Sequence, residues 1–146
     1  MMKAKKTWVI VTNGKIARMF DYPGRNKALV PLENHVWHAP EVNEFADSQS
    51  VTHSRVGHSQ HRLAPHNSTD HALDSFAVEI ARKLAKAQTS GAFERLVLVA
   101  APKMLGLLRE RLDAAVQATI WVEIDKDFTQ IPLDELDKAL ERHLYS

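Results

Sequence analysis

The stretch FERLVLVAAPKMLGLLRER, residues 93–111, constrains the fold more than any other part of the chain. Leu96, Val97, Leu98, Val99 and Ala100 are apolar without interruption. A strand with one wet face alternates, so this run predicts a strand buried on both faces. Pro102 stops the ladder because it has no N–H to donate. From Lys103 the apolar period lengthens from two to about 3.6 residues. Met104, Leu107, Leu108 and Leu112 then share one face of a helix expected over 103–115. Strand, short turn and helix make half of a βαβ unit. A strand covered on both faces needs layers above and below it, and the rest of the chain must supply them. The turn Ala101–Lys103 lies at the carboxyl end of that strand, where open α/β sheets place ligands.

Taken in order, the chain offers those layers. Thr7 to Thr12 is a β-branched strand, and Asn13-Gly14 after it predicts a type I′ hairpin with φ > 0 at both positions. The return strand spans 15–22. A third strand is expected over 28–37, and Pro31 assigns it to a sheet edge. Residues 38–69 hold five of the eight histidines among polar residues, which predicts a long loop or arm. From Asp70, the residues Leu73, Phe76, Ala77, Ile80, Ala81, Leu84 and Ala85 recur at three and four, an amphipathic helix. Ser68, Thr69 or Asp70 can cap it, and Gly91 lies just past its end. Thr119 to Ile124 is a fifth strand, and a last helix starts near Pro132, burying Leu133, Leu136, Leu140 and Leu144. The order is β-β-β-α-β-α-β-α. Right-handed crossovers would lay the two later strands parallel to the first, on the side away from the hairpin. The expected fold is a single α/β domain over 1–146, a mixed five-stranded sheet in ribonuclease H-like order.

Charge and composition narrow the function. Nineteen basic residues against eighteen acidic give +1, so no global field attracts nucleic acid or anionic membrane. The absence of cysteine excludes disulfides, thiol catalysis and cysteine-ligated metals. Lys3, Lys5 and Lys6 precede an apolar stretch as in a signal peptide, but Trp8 to Val11 is only four residues. No segment reaches the length of a membrane span. The chain reads as cytoplasmic with a basic tip.

Few constellations carry chemistry. A two-metal nuclease needs carboxylates converging from several strands. Neither 7–12 nor 95–100 carries one; Asp21, Glu123, Asp125 and Asp127 are the acids on or beside strands. There is no Gly-x-Ser-x-Gly elbow, Walker loop or Gly-x-Gly-x-x-Gly. Asn13, Lys103, Asp125, Lys126 and Asp127 fall at neighbouring strand ends and form a candidate binding site, against the plainer reading of solvated strand ends. His53, His58, His61, His66 and His71 follow gaps of five, three, five and five. Imidazole binds zinc, copper and nickel, His58 and His61 could meet on one helical turn, and Asp70 or Asp74 could add an oxygen. No spacing matches His-Glu-x-x-His. No cofactor is firmly implied; a divalent metal such as zinc is the one these residues suggest, and a metal-dependent enzyme is the alternative function they carry. Lys3, Lys5, Lys6, Arg18, Arg25 and Lys27, with Trp8 and Phe20, form the one local basic and aromatic grouping suited to phosphate contacts.

The segments TWVIVTNGKIARMFDY, DSFAVEIARKLAKAQTSGAFERLVLVAAPKMLGLLRERL and VEIDKDFTQIPLDELDKAL together resemble the host-attachment protein family of bacteria. The resemblance covers the chain except roughly 38–69. That family is similar in turn to the middle domain of archaeal and eukaryotic peptide release factors and to ribosome-rescue factors. The resemblance therefore implies the ribonuclease H-like fold and, as partners, the ribosome, tRNA or RNA, or another protein in attachment. The release-factor domain works through a Gly-Gly-Gln loop. Here the glycines stand at 14, 24, 57, 91 and 106, none adjacent, so peptide release does not carry over. The leading expectation is a non-catalytic binding module, with the metal-dependent enzyme and an adhesion-related interaction protein as alternatives.

Overall fold

The computed structural model describes residues 5–39 and 64–145. The elements are β1 (Thr7–Thr12), β2 (Ile16–Asp21), β3 (Val30–His38), α1 (Ala64–Thr89), β4 (Arg95–Ala100), α2 (Pro102–Arg111), α3 (Ala114–Gln117), β5 (Ile120–Ile124) and α4 (Leu133–Leu144). The strands form one five-stranded sheet in the order β3-β2-β1-β4-β5. β1 runs antiparallel to β2 and parallel to β4, and β4 is parallel to β5. β2 and β3 are antiparallel. The sheet is mixed, and β4 and β5 lie on the side of β1 away from the hairpin. β3 is an edge strand, as Pro31 requires, and Pro31 sits opposite Phe20 beside a shift in register.

The two central parallel strands are the most buried. Every residue of β1 is buried, and in β4 only Arg95 is not. Their alternation sorts the core into two faces. Ile10, Leu96, Leu98 and Ala100 pack with Phe76, Ile80 and Leu84 of α1 and Met104, Leu105 and Leu108 of α2. Val9, Val11, Val97 and Val99 pack with Leu136 and Leu140 of α4. The unbroken apolar run thus serves two layers of helix at once. Each valine or leucine of the run, fully buried, contributes roughly 1.5–3 kcal/mol, and Ala100 less.

Three local expectations are corrected. The first helix starts at Ala64, not Asp70, so Ser68, Thr69 and Asp70 lie inside it. Propagating a nucleated helix is far cheaper than starting one, and Pro65 is tolerated in a first turn where its missing N–H would be an orphan anyway. Residues 40–63 of the expected arm lie outside the described residues. The hairpin is not type I′, for neither Asn13 nor Gly14 has positive φ. Thr12 pairs with Ala17, so the two-residue loop is Gly14-Lys15, and the Asn13 side chain closes it. Gly14 instead lies close against α1: a Cβ there would sit 2.8 Å from Leu73 Cδ1, the end of a flexible side chain that would have to shift. Last, the helix expected over 103–115 breaks at Leu112, which is extended, because Asp113 caps a new short helix by accepting from Val116 N at 2.9 Å.

Candidate functional site

The carboxyl ends of β1 and β5 meet through side chains. Asn13 Oδ1 accepts from the backbone N–H of Lys15 (2.8 Å) and Ile16 (3.0 Å), a local closure that asparagine favours. Asn13 Nδ2 donates to Asp127 Oδ2 at 3.1 Å and to Thr129 Oγ1 at 3.0 Å. Asp127 Oδ1 accepts from the Thr129 N–H at 3.0 Å and hydroxyl at 2.6 Å. Arg18 Nη1 donates to the Thr129 and Ile131 carbonyls, fixing the same loop from β2. Burial pushes the Asp127 carboxyl up, but the Thr129 and Asn13 bonds outweigh it and hold its pKa below the ordinary value. An amide has two donors and two acceptor sites, and all of Asn13's are used inside the protein.

The structure therefore joins Asn13 and Asp127 and leaves the other expected partners elsewhere. Lys103 Nζ pairs with Asp70 Oδ1 of α1 at 2.7 Å, both side chains more than half exposed. Asp125 and Lys126 are exposed. Arg109 bonds Glu123 Oε1 at 2.6 Å, which with weaker help from Asp125 raises its guanidinium pKa. His53, His58 and His61 lie outside the described residues, as does the side chain of His66. His71 is exposed on α1. Among the described residues no three His, Asp or Glu side chains converge to hold a metal.

A second arrangement, of which only Arg25 was singled out above, lies at the opposite ends of the parallel strands. Arg95, the first residue of β4, places its guanidinium 3.7 Å over the ring of Trp121 on β5. Trp121 meets Tyr145 edge-on at 6.1 Å and 71°. Arg25, from the β2–β3 connection, lies 4.3 Å over the Tyr145 ring. The result is a row of two adjoining aromatic rings with a guanidinium at either end, drawn from four separate segments. Arg95 Nε is fixed by Thr7 Oγ1 at 3.1 Å, and the Tyr22 hydroxyl lies 3.1 Å from that of Tyr145 and 3.4 Å from Glu141 Oε2. Burial first, then Tyr145 and Glu141, raise the Tyr22 pKa beyond the usual phenol range. Among the described residues neither Arg25 nor Arg95 has a carboxylate within ion-pair distance. Lys6 adjoins the row, its carbonyl accepting from Arg95 N at 3.0 Å.

The two aromatics expected beside the basic residues part company. Trp8 is buried against Phe93 at 5.0 Å, whereas Phe20, buried on the α4 face, does lie beside an expected cation, with the Arg18 guanidinium 5.0 Å over its ring. Of the expected cations, Arg18 is committed to the Thr129 loop and Arg25 joins the row. Only pairing across β4 and β5, invisible in a linear sequence, brings Trp121 to Arg95.

No helix among the described residues is long and apolar enough to cross a membrane. No curated protein matches the chain. The sequence profile of one protein family, described as a protein required for attachment to host cells, matches residues 8–140.

Proposed function

Since the chain belongs to that family of proteins required for attachment to host cells, we propose that it acts as a non-catalytic binding module whose partner is single-stranded RNA. The observation that carries this reading is the row Arg25–Tyr145–Trp121–Arg95. Unpaired bases are recognised by stacking on aromatic rings and guanidinium planes, and phosphates by cations free of carboxylates. Arg25 and Arg95 meet both needs, and exposed Lys5 and Lys6 extend the positive surface. A domain of net charge near zero can bind RNA through such a local patch.

The strand order β3-β2-β1-β4-β5 supports a ribonuclease H-like reading of the fold, and with it a likeness to the release-factor middle domain. In this reading the Asn13–Asp127–Thr129 network is a latch. Its polar atoms already serve one another, so the carboxyl ends of the strands hold the module together and its opposite end binds.

Fluorescence anisotropy with a short labelled single-stranded RNA tests the reading. Binding should weaken with salt, with a slope of about −0.7 per phosphate contacted. Arg25→Glu should weaken it by about tenfold or more and flatten that slope, with thermal stability retained. Salt-independent binding, or equal binding by Arg25→Glu, refutes it.

A further inference from the structure

Arg25 reaches the Tyr145 ring from a tight turn. The Lys27 N–H donates to the Gly24 carbonyl at 3.1 Å and closes residues 24–27, with Arg25 and Asn26 at the centre. Asn26 has φ +65°, in the left-handed region, and Arg25 does not. A positive φ at the second central residue alone is the mark of a type II turn, where glycine or asparagine is needed. A residue with a Cβ kept in that region needs its surroundings to hold it.

One contact does so. The Asn26 N–H, part of the peptide joining the two central residues, donates to Glu141 Oε2 of α4 at 2.7 Å. Residues 25–28 are exposed, and among the described residues no other hydrogen bond fastens residues 23–28 to another element. The same Glu141 holds the other half of the contact: its backbone carbonyl accepts from Tyr145 N at 3.0 Å. Side chain and backbone of one residue thus tie the turn carrying Arg25 to the helix end carrying Tyr145, and the guanidinium rests 4.3 Å over the ring. Glu141 has no cation within ion-pair distance among the described residues. A carboxylate beside a phosphate-binding surface repels the ligand, so charge alone gives no reason for it to stand there.

We propose that Glu141 is a positioning residue for the row, and that its hydrogen-bond acceptor rather than its charge is what binding needs. The inference rests on the RNA reading of the row. With the Asn26 bond gone the turn is loose, and ordering it together with a long arginine side chain then opposes binding.

Two substitutions separate position from charge. Glu141→Asp keeps the charge but sets its carboxylate back by one C–C bond, beyond hydrogen-bond reach of Asn26. Glu141→Gln keeps the reach and an acceptor oxygen but loses the charge. Neither touches the buried Leu136 and Leu140 of α4, so both variants should fold. In anisotropy titrations with short single-stranded RNA, Glu141→Asp should bind about tenfold or more weakly than the parent chain, and Glu141→Gln within about threefold of it. A carboxylate that merely repels RNA predicts the reverse: parent-like binding in Glu141→Asp and tighter binding in Glu141→Gln. That order, or an equal loss in both variants, overturns the inference. The free protein supplies a second readout. Arg25 side-chain protons stacked on the Tyr145 ring resonate upfield of those of an unstructured arginine. In a ¹³C-labelled chain they should move to the unstructured position in Glu141→Asp and stay in place in Glu141→Gln. No movement in Glu141→Asp also overturns the inference. Should the parent chain fail to bind RNA, the RNA reading falls, and this shift by itself decides whether Glu141 places Arg25.

Discussion

Removing the Asn13 side chain gives the sharpest test of how the strand ends are held. Asn13→Ala deletes two bonds to the hairpin backbone and two to the loop after β5. A hydrogen bond contributes about 0.5–1.5 kcal/mol net, and the lower half of that range applies where water can replace the lost partner. Asn13 is half-buried, so the four together predict a loss of about 2–4 kcal/mol. Urea unfolding followed by circular dichroism should show a lower midpoint with an unchanged slope, since the surface exposed on unfolding hardly changes. Asn13→Asp sharpens the test. It keeps an acceptor for Lys15 and Ile16 but aims a second carboxylate at Asp127, now 3.1 Å away. That variant should be more destabilised near pH 7 than near pH 4, where one carboxylate of the pair takes up a proton. A loss within about 0.5 kcal/mol for Asn13→Ala, as at ordinary surface sites, would refute the latch.

Other consequences follow from the same geometry. Leu98, fully buried between β1, α1 and α2, should lose about 2–5 kcal/mol on replacement by alanine, measured by the same unfolding curves; a surface-like cost contradicts its central place. The Asp127 pKa is lowered by folding, so its contribution is present above the unfolded value of about 3.9 and is lost as pH falls through the folded one. Stability against pH should therefore drop less steeply in that acid window for Asp127→Asn than for the parent chain. The Lys103–Asp70 pair is exposed, so a double-mutant cycle on the two should return at most about 1 kcal/mol.

The legible parts of this fold were those written in short-range pattern. Residues 96–100 are apolar without alternation because both faces of β4 are covered, and that is a property each residue carries alone. Pro31 marked an edge and Gly91 the end of α1, where it has φ +80°, since backbone constraints at those residues are local too. The hairpin was placed correctly and its turn type was not. Asn13-Gly14 has the composition of a type I′ turn, yet the asparagine side chain is drawn into bonds with Asp127 and Thr129, more than a hundred residues away. Gly14 uses no positive φ and packs close against the Leu73 side chain. For the site, sequence reasoning brought Asn13 and Asp127 together by counting strand ends. It missed Arg95, Trp121 and Tyr145 because each looks like an ordinary strand or helix-end residue until the parallel pairing of β4 with β5 and the return of α4 set them side by side.

The indole N–H signals of Trp8, Trp37 and Trp121 offer the most direct test of the binding face. In a ¹⁵N-labelled chain titrated with short single-stranded RNA, the three can be followed together. The account predicts a progressive shift of the Trp121 signal, abolished in Arg25→Glu, while Trp8, buried against Phe93, stays in place. Shifts confined to Asn13, Lys103 and the loop at 125–129, with Trp121 unmoved, would put the partner at the other end of the sheet and contradict it.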